Sequence, residues 1–303
     1  MYYYPFNKYL REKFGEKVRR LSLNAGFTCP NRDGKLGTEG CVFCNEYGFS
    51  RFAGKKISLD EQIVSSMKRA AEKYGVRKFI AYFQNATNTY ADVRDLKAAY
   101  DVIKNYPEIV GLFISTRPDC AGDEVLDLIA GYIGLYEVWI EYGLQSAHDR
   151  TLRGINRGHT FSVTAEAIKR TAERGIKVGA HVILGLPGES REDMIATAKE
   201  VSGLPVSGVK LHLLHVLKDT KLEEAYRRGE VELMEREEYV GAACDFLEYT
   251  RPDRIVLRLV SDAKEDYLVA PGWMNDKMKV IGAIEDEFSK RGTCQGSALA
   301  GVT

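Results

Sequence analysis

The chain has 303 residues, 45% hydrophobic and 28% charged, with a formal net charge of zero. That composition fits one large or two small globular domains and excludes a disordered chain or a uniformly basic nucleic-acid binder. Charge is nevertheless uneven: residues 1–56 hold eleven Lys/Arg and five Asp/Glu, a net of +6, and the remainder carries −6.

The opening, MYYYPFNKYLREKFGEKVRR, lacks the apolar centre of a secretory signal. No run of about 18 apolar residues occurs, so no membrane association is expected. Six Cys, three of them clustered, suit a reducing, cytoplasmic setting. Residues 1–17 carry Tyr2, Tyr3, Tyr4, Phe6, Tyr9 and Phe14. They are expected to form a short helix or arm packed on a later element, with nucleic-acid stacking as the alternative.

A strand from Val18 to Leu23 leads into Cys29-Pro30-Asn31-Arg32-Asp33-Gly34 and on to Cys41-Val42-Phe43-Cys44, a C-x11-C-x2-C spacing. Three neighbouring thiolates form a soft ligand set for zinc or an iron–sulfur cluster. No His lies between residues 29 and 44 to act as a nearby fourth zinc ligand. Phe43 places an aromatic beside the last thiol, where it limits solvent access. Spacing alone leaves two alternatives: a zinc knuckle with a distant fourth ligand, or a cluster with one open iron.

Ser58-x-x-Glu61 spells a capping box for a helix to about Tyr74. Beyond it, apolar runs at 78–83, 109–115, 136–142, 177–184, 208–217 and 255–260 read as strands. Helical patterns at about 94–105, 123–133, 161–174, 191–202 and 236–249 separate most of them. This alternation implies parallel strands with right-handed crossovers. The runs FIAYF, VGLFIS and AHVILGL are apolar on both faces, as in a sheet covered on both sides. The pattern fits an open doubly wound sheet or a barrel, and in either the chemistry belongs at the carboxyl ends of the strands. The tail, 261–303, reads as irregular and contains Pro271-Gly272-Trp273.

Those strand ends are polar: Gln84 to Tyr90, Ser115 to Cys120, Glu141 to Ser146 followed by Asn156 to His159, His181 to Glu189, and His212 with His215. All fall on the face of the Cys loop, which marks a candidate site.

The segments C-P-N-R-D-G…C-x-F-C, T-N-T-Y-A, T-R-P-D-C, G-L-Q-S and N-R-G-H-T together resemble the radical S-adenosylmethionine (radical SAM) enzymes. The resemblance spans about residues 18 to 290. It is closest to the branch holding the radical SAM subunit of Elongator, the methylthiotransferases and oxygen-independent coproporphyrinogen oxidase. The common C-x3-C-x2-C is stretched here, as in Elongator-type relatives. The resemblance implies a partial (β/α)6 TIM-like α/β barrel of parallel strands over 18–260, an N-terminal arm over 1–17 and a C-terminal extension over 261–303 covering the barrel. It also implies that Cys29, Cys41 and Cys44 ligate a [4Fe–4S] cluster whose open iron takes S-adenosylmethionine. Asn85 and Thr87 would meet the methionyl group, on a segment where the family carries glycines. Gln145 would meet the ribose and Arg157 the carboxylate. Ile183 and Leu184 would meet the adenine, and Glu141 the ribose or the substrate. An external one-electron donor of flavodoxin or ferredoxin type would drive cleavage to a 5′-deoxyadenosyl radical that abstracts hydrogen from substrate.

Residues 1–17 hold no Cys for a second cluster domain, and 303 residues leave little room for an acetyltransferase domain. Cys120, Cys244 and Cys294 are too scattered for a further cluster. Three readings of the substrate follow: a tRNA base, at the C5 substituent of a wobble uridine; a small molecule such as a tetrapyrrole or metabolite; or, without catalysis, a metal-stabilised RNA-binding module. Trp273, Lys277 and Lys279 are expected to close the barrel and meet the substrate, Trp273 either by packing or by stacking on a base.

Overall fold

The structure, a computed structural model, describes residues 1–45, 52, 54–261 and 263–299. Part of the Gly- and Lys-rich stretch after the Cys loop and the last four residues of the tail lie outside the described residues.

The strands are β1 (Val18–Leu23), β2 (Lys78–Phe83), β3 (Ile109–Thr116), β4 (Glu137–Gln145), β5 (Lys177–Leu184), β6 (Gly208–Leu213), β7 (Val216–Leu217), β8 (Ile255–Arg258) and β9 (Leu268–Ala270). The helices are α1 (Phe6–Phe14), α2 (Leu59–Tyr74), α3 (Val93–Asp101), α4 (Asp123–Ala130), α5 (Asp149–Gly154), α6 (Phe161–Glu173), α7 (Arg191–Gly203), α8 (Lys221–Arg227), α9 (Arg236–Glu248) and α10 (Lys277–Arg291). Seven strands form one parallel sheet in the order β1-β2-β3-β4-β5-β6-β8, which follows the chain. A doubly wound sheet reverses its order at a switch point. No reversal occurs here, so the sheet curls one way into a partial TIM-like barrel.

Local chemistry sets these elements. The α2 helix begins where Ser58 Oγ accepts from Glu61 N at 3.2 Å and the Glu61 carboxylate accepts from Ser58 N at 3.0 Å. It ends at Gly75, whose φ of 63° suits a residue without Cβ.

Two expectations are corrected. The apolar run 208–217 is not one strand. Leu214 N still bonds Leu184 O at 2.9 Å, but His215 turns Nδ1 onto Leu213 O at 3.0 Å. The chain then enters β7, which pairs antiparallel with β9. The tail is not irregular either, since 15 residues form α10. Val280, Ile284 and Phe288 recur every four residues and are buried, which is the helical period.

The barrel interior is layered. At the amino-terminal end of the strands, Phe6 and Leu10 of α1 plug the base against Ile80, Phe113, Trp139 and Leu257. Phe113 and Trp139 stack with centroids 5.5 Å apart. Val256 N donates to Tyr4 O at 2.8 Å, so the residues just before α1 take up the exposed edge of β8. Glu137 ties the plug down through Lys13 at 2.8 Å and the Tyr9 hydroxyl. The described tail docks elsewhere: Trp273 packs on Tyr239 of α9, with centroids 5.9 Å apart, and Phe288 stacks on Tyr2.

Candidate active site

Above the apolar base lies a polar layer that the sequence reading did not assemble. Glu141 is 1% exposed, and its carboxylate accepts from Lys210 Nζ at 2.6 Å and from the Tyr82 hydroxyl at 2.7 Å. Lys210 Nζ also donates to the Tyr82 oxygen at 2.7 Å, and Arg20 lies 3.5 Å from the other carboxylate oxygen. Burial would raise the Glu141 carboxyl, but Lys210 and Arg20 outweigh it and hold it below the usual range. Burial draws Lys210 down to about 8, with Glu141 pulling it back up. The pair is therefore ionised at neutral pH. A charged residue inside an otherwise apolar strand, as in GVKLHL and EVWIEYGLQ, is the sequence signal for such a layer.

On this layer rests a cavity of about 700 Å3 at the carboxyl ends of the strands. That is within the usual range for a ligand site. Cys29, Cys41 and Cys44 line it, with Phe43 between the last two. Of the other candidates, Asn85, Thr87, Gln145, Arg157 and Ile183 also line it. Glu141 does not, being the layer beneath, and Leu184 points outward into the helix-packed core. The cavity also meets residues the sequence reading gave no role: Arg32, Arg117, Tyr82, Lys210 and Arg258. Among the described residues no Asp or Glu side chain lines it.

The Cys loop is held by short-range turns and one clasp. Arg32 N bonds Cys29 O at 2.8 Å and Cys44 N bonds Cys41 O at 2.9 Å. Asn31 Nδ2 donates to Asn156 O, and Asn156 Nδ2 returns a bond to Gly40 O, both at 2.7 Å. These residues are 125 positions apart, and Asn156 takes a left-handed φ of 52° to make the clasp. Arg157 follows. Its Nη1 donates to Cys41 Sγ at 3.5 Å, and its Nε and Nη2 donate to Gly143 O at 3.2 and 2.9 Å. Gly143 leaves room for this contact: a Cβ would lie 2.4 Å from Arg157 Nη2 and 2.6 Å from Gln145 Nε2, so both side chains would have to shift. Gln145 itself sits at φ 68°, and its Oε1 is buried without a hydrogen-bond partner. A backbone held in this sparsely populated region at a cavity wall is a mark of function.

The residues present fit an iron–sulfur cluster. Burial, with Cys41 close by, pushes the Cys44 thiol up to about 11, so it keeps its proton until a bound cation takes the proton's place. Among the described residues no three His, Cys, Asp or Glu side chains are grouped to hold a single metal ion. Three thiols around one cavity suit the larger body of a cluster better than one tetrahedral zinc.

Residues 28–201 match the radical SAM superfamily, and residues 206–290 match the radical SAM C-terminal domain. The chain belongs to the radical SAM superfamily. Its cofactors are accordingly a [4Fe–4S] cluster and S-adenosylmethionine, it is an enzyme, and enzymes of this family draw an electron from an external donor. Uncharacterized protein YtqA of Bacillus subtilis is 41% identical over 97% of this chain and 92% of its own length. Protein YhcC of Escherichia coli is 38% identical over 96% and 93%. A tRNA uridine(34) acetyltransferase of Methanocaldococcus jannaschii is 31% identical over 134 residues, 43% of this chain and 24% of that protein. In fold, the archaeal Elp3 of Methanocaldococcus infernus matches with a TM-score of 0.65 at 18% identity, covering 92% of this chain and 64% of that one. Methylornithine synthase matches with a TM-score of 0.57 at 14% identity, over 95% and 86%. Among the described residues no helix is long and apolar enough to cross a membrane.

Proposed function

We propose that this radical SAM enzyme reductively cleaves S-adenosylmethionine at a cluster held by Cys29, Cys41 and Cys44, and takes hydrogen from the C5 substituent of a wobble uridine in tRNA. When bound, the cluster and S-adenosylmethionine supply an electron and a 5′-deoxyadenosyl radical. The chain's own part is positioning, electronics and exclusion of water. Arg157 donates to the Cys41 sulfur, and such bonds tune a cluster's potential. Gln145 presents a buried carbonyl oxygen that a ribose hydroxyl would satisfy. Asn85, Thr87 and Ile183 line the remaining wall. The electron donor is a flavodoxin or ferredoxin.

The observation that carries the substrate reading is the likeness to tRNA uridine(34) acetyltransferases, which falls on sequences named for that base. A cavity lined by cations and by no described acid also suits a polyanionic substrate. The experiment compares tRNA nucleosides from cells with and without the gene. A change confined to the wobble uridine is expected. Identical nucleoside profiles, with S-adenosylmethionine cleavage intact in the purified enzyme, would remove tRNA and leave the second reading. That reading is a small molecule such as a tetrapyrrole or metabolite, favoured by the zero net charge.

A further inference from the structure

The cavity wall holds a guanidinium edge that the fold leaves unmatched. Arg117 follows β3, is 2% exposed and lines the cavity. Its Nε and Nη2 form a two-point fork with Asp119, at 2.9 and 2.8 Å. Its Nη1 is buried and has no hydrogen-bond partner. Buried donors are nearly always paired, so an orphan on a cavity wall points to an acceptor that arrives with a ligand. Arg157 differs, since each of its three nitrogens already has a partner on Gly143 or Cys41. The fork on Asp119 leaves Arg117 one face of the guanidinium to offer. Gly158 packs against the Asp119-bonded side of the guanidinium, where a Cβ would lie 3.2 Å from Arg117 Nη2 and 2.8 Å from Asn31 Oδ1. Asn31 Nδ2 in turn lies 3.8 Å from Cys41 Sγ, so Arg117 stands on the cluster side of the cavity.

We propose that Arg117 Nη1 is the donor that holds the carboxylate of S-adenosylmethionine, with Asp119 as its positioning residue. The carboxylate is the one anionic group that this cofactor brings, and a guanidinium N–H to a carboxylate is a charge-assisted bond. The competing acceptor is a cluster sulfide, which is also electron-rich. The proposal rests on the cofactor assignment and not on the substrate, since no substrate enters the test.

The test uses anaerobically reconstituted enzyme, titrated calorimetrically with S-adenosylmethionine and with its decarboxylated analogue, beside a redox titration of the cluster. In Arg117→Gln the affinity for S-adenosylmethionine is expected to fall about 10- to 100-fold. The affinity for the decarboxylated analogue and the cluster potential should stay as in the unaltered enzyme. Asp119→Asn should give a smaller loss of the same selectivity. It serves as the measured variant if Arg117→Gln fails to retain iron. Equal loss for both ligands, no loss for either, or a shifted potential with unchanged affinity would overturn the assignment; the last would give Arg117 to the cluster sulfide.

Discussion

At the scale of single residues, Arg157 and Glu141 are close in the fold and differ in role. Arg157 touches Cys41 Sγ, so its removal takes a donor from a cluster ligand. Losing such an outer partner costs about 10- to 100-fold in metal affinity or activity. Arg157→Ala should therefore retain less iron and show a lower cluster potential, read by iron assay and redox titration. Gly143→Ala should behave alike, because its Cβ would meet Arg157 Nη2 at 2.4 Å. A normal potential in both variants would detach Arg157 from the cluster. Glu141 belongs to a buried ion layer with Lys210. Glu141→Gln leaves Lys210 uncompensated and should cost about 3–5 kcal/mol of stability. Glu141→Gln with Lys210→Met should recover part of that loss in denaturant titrations. The pH dependence has a definite sign. The Glu141 carboxyl is held below its usual range in the folded state, so its contribution is present above the unfolded pKa of about 4.3 and is lost as pH falls below it. The acid limb of stability should flatten in the variant. Of these contacts only the cysteine spacing was legible beforehand. The bond from Arg157 to Cys41 joins residues 116 positions apart, and nothing local in either segment encodes it.

At the scale of elements, strand-like runs and strand ends were readable because parallel strands buried on both faces leave continuous apolar stretches. The strand order was not readable. It depends on which strands pair, and only that order separates a barrel from a doubly wound sheet. The last helix did carry its signal in Val280, Ile284 and Phe288, but it follows the final sheet strand, where strand–helix alternation no longer guides the eye. The aromatic arm proved to be a plug: Phe6 and Tyr9 stack inside the barrel base and are not available to bases. Trp273 is similarly engaged, half-buried on Tyr239. Trp273→Ala should lower stability by about 1–3 kcal/mol, less than a full core truncation because the ring is only partly covered. Thermal unfolding checks this, together with iron retention. Unchanged stability with weakened RNA binding would make Trp273 a stacking platform after all.

At the scale of the whole molecule, charge decides how a tRNA could approach. The chain is neutral overall, yet its first 56 residues carry a net of +6 on the segment that contains the Cys loop. Lys55 and Lys56 are exposed there and follow Gly54, which lines the cavity. Lys279, placed by sequence at the barrel closure, instead pairs with Asp276 at 2.6 Å on α10. Its charge is partly matched, and its helix packs on α9. A phosphate contact made by a lysine adds about 0.9 to the slope of log affinity against log salt, and losing the contact removes that much. Lys55→Ala and Lys56→Ala should therefore each flatten the salt dependence of tRNA binding by about one unit, whereas Lys279→Ala should leave it nearly unchanged. The measurement is a filter-binding series across salt with the reconstituted enzyme. If all three variants keep the original slope, the basic segment does not face the RNA, and the wobble-uridine reading would have to stand on nucleoside profiles alone. If Lys279 alone changes it, the RNA crosses the α10 side of the barrel, and the approach over the Cys loop is wrong.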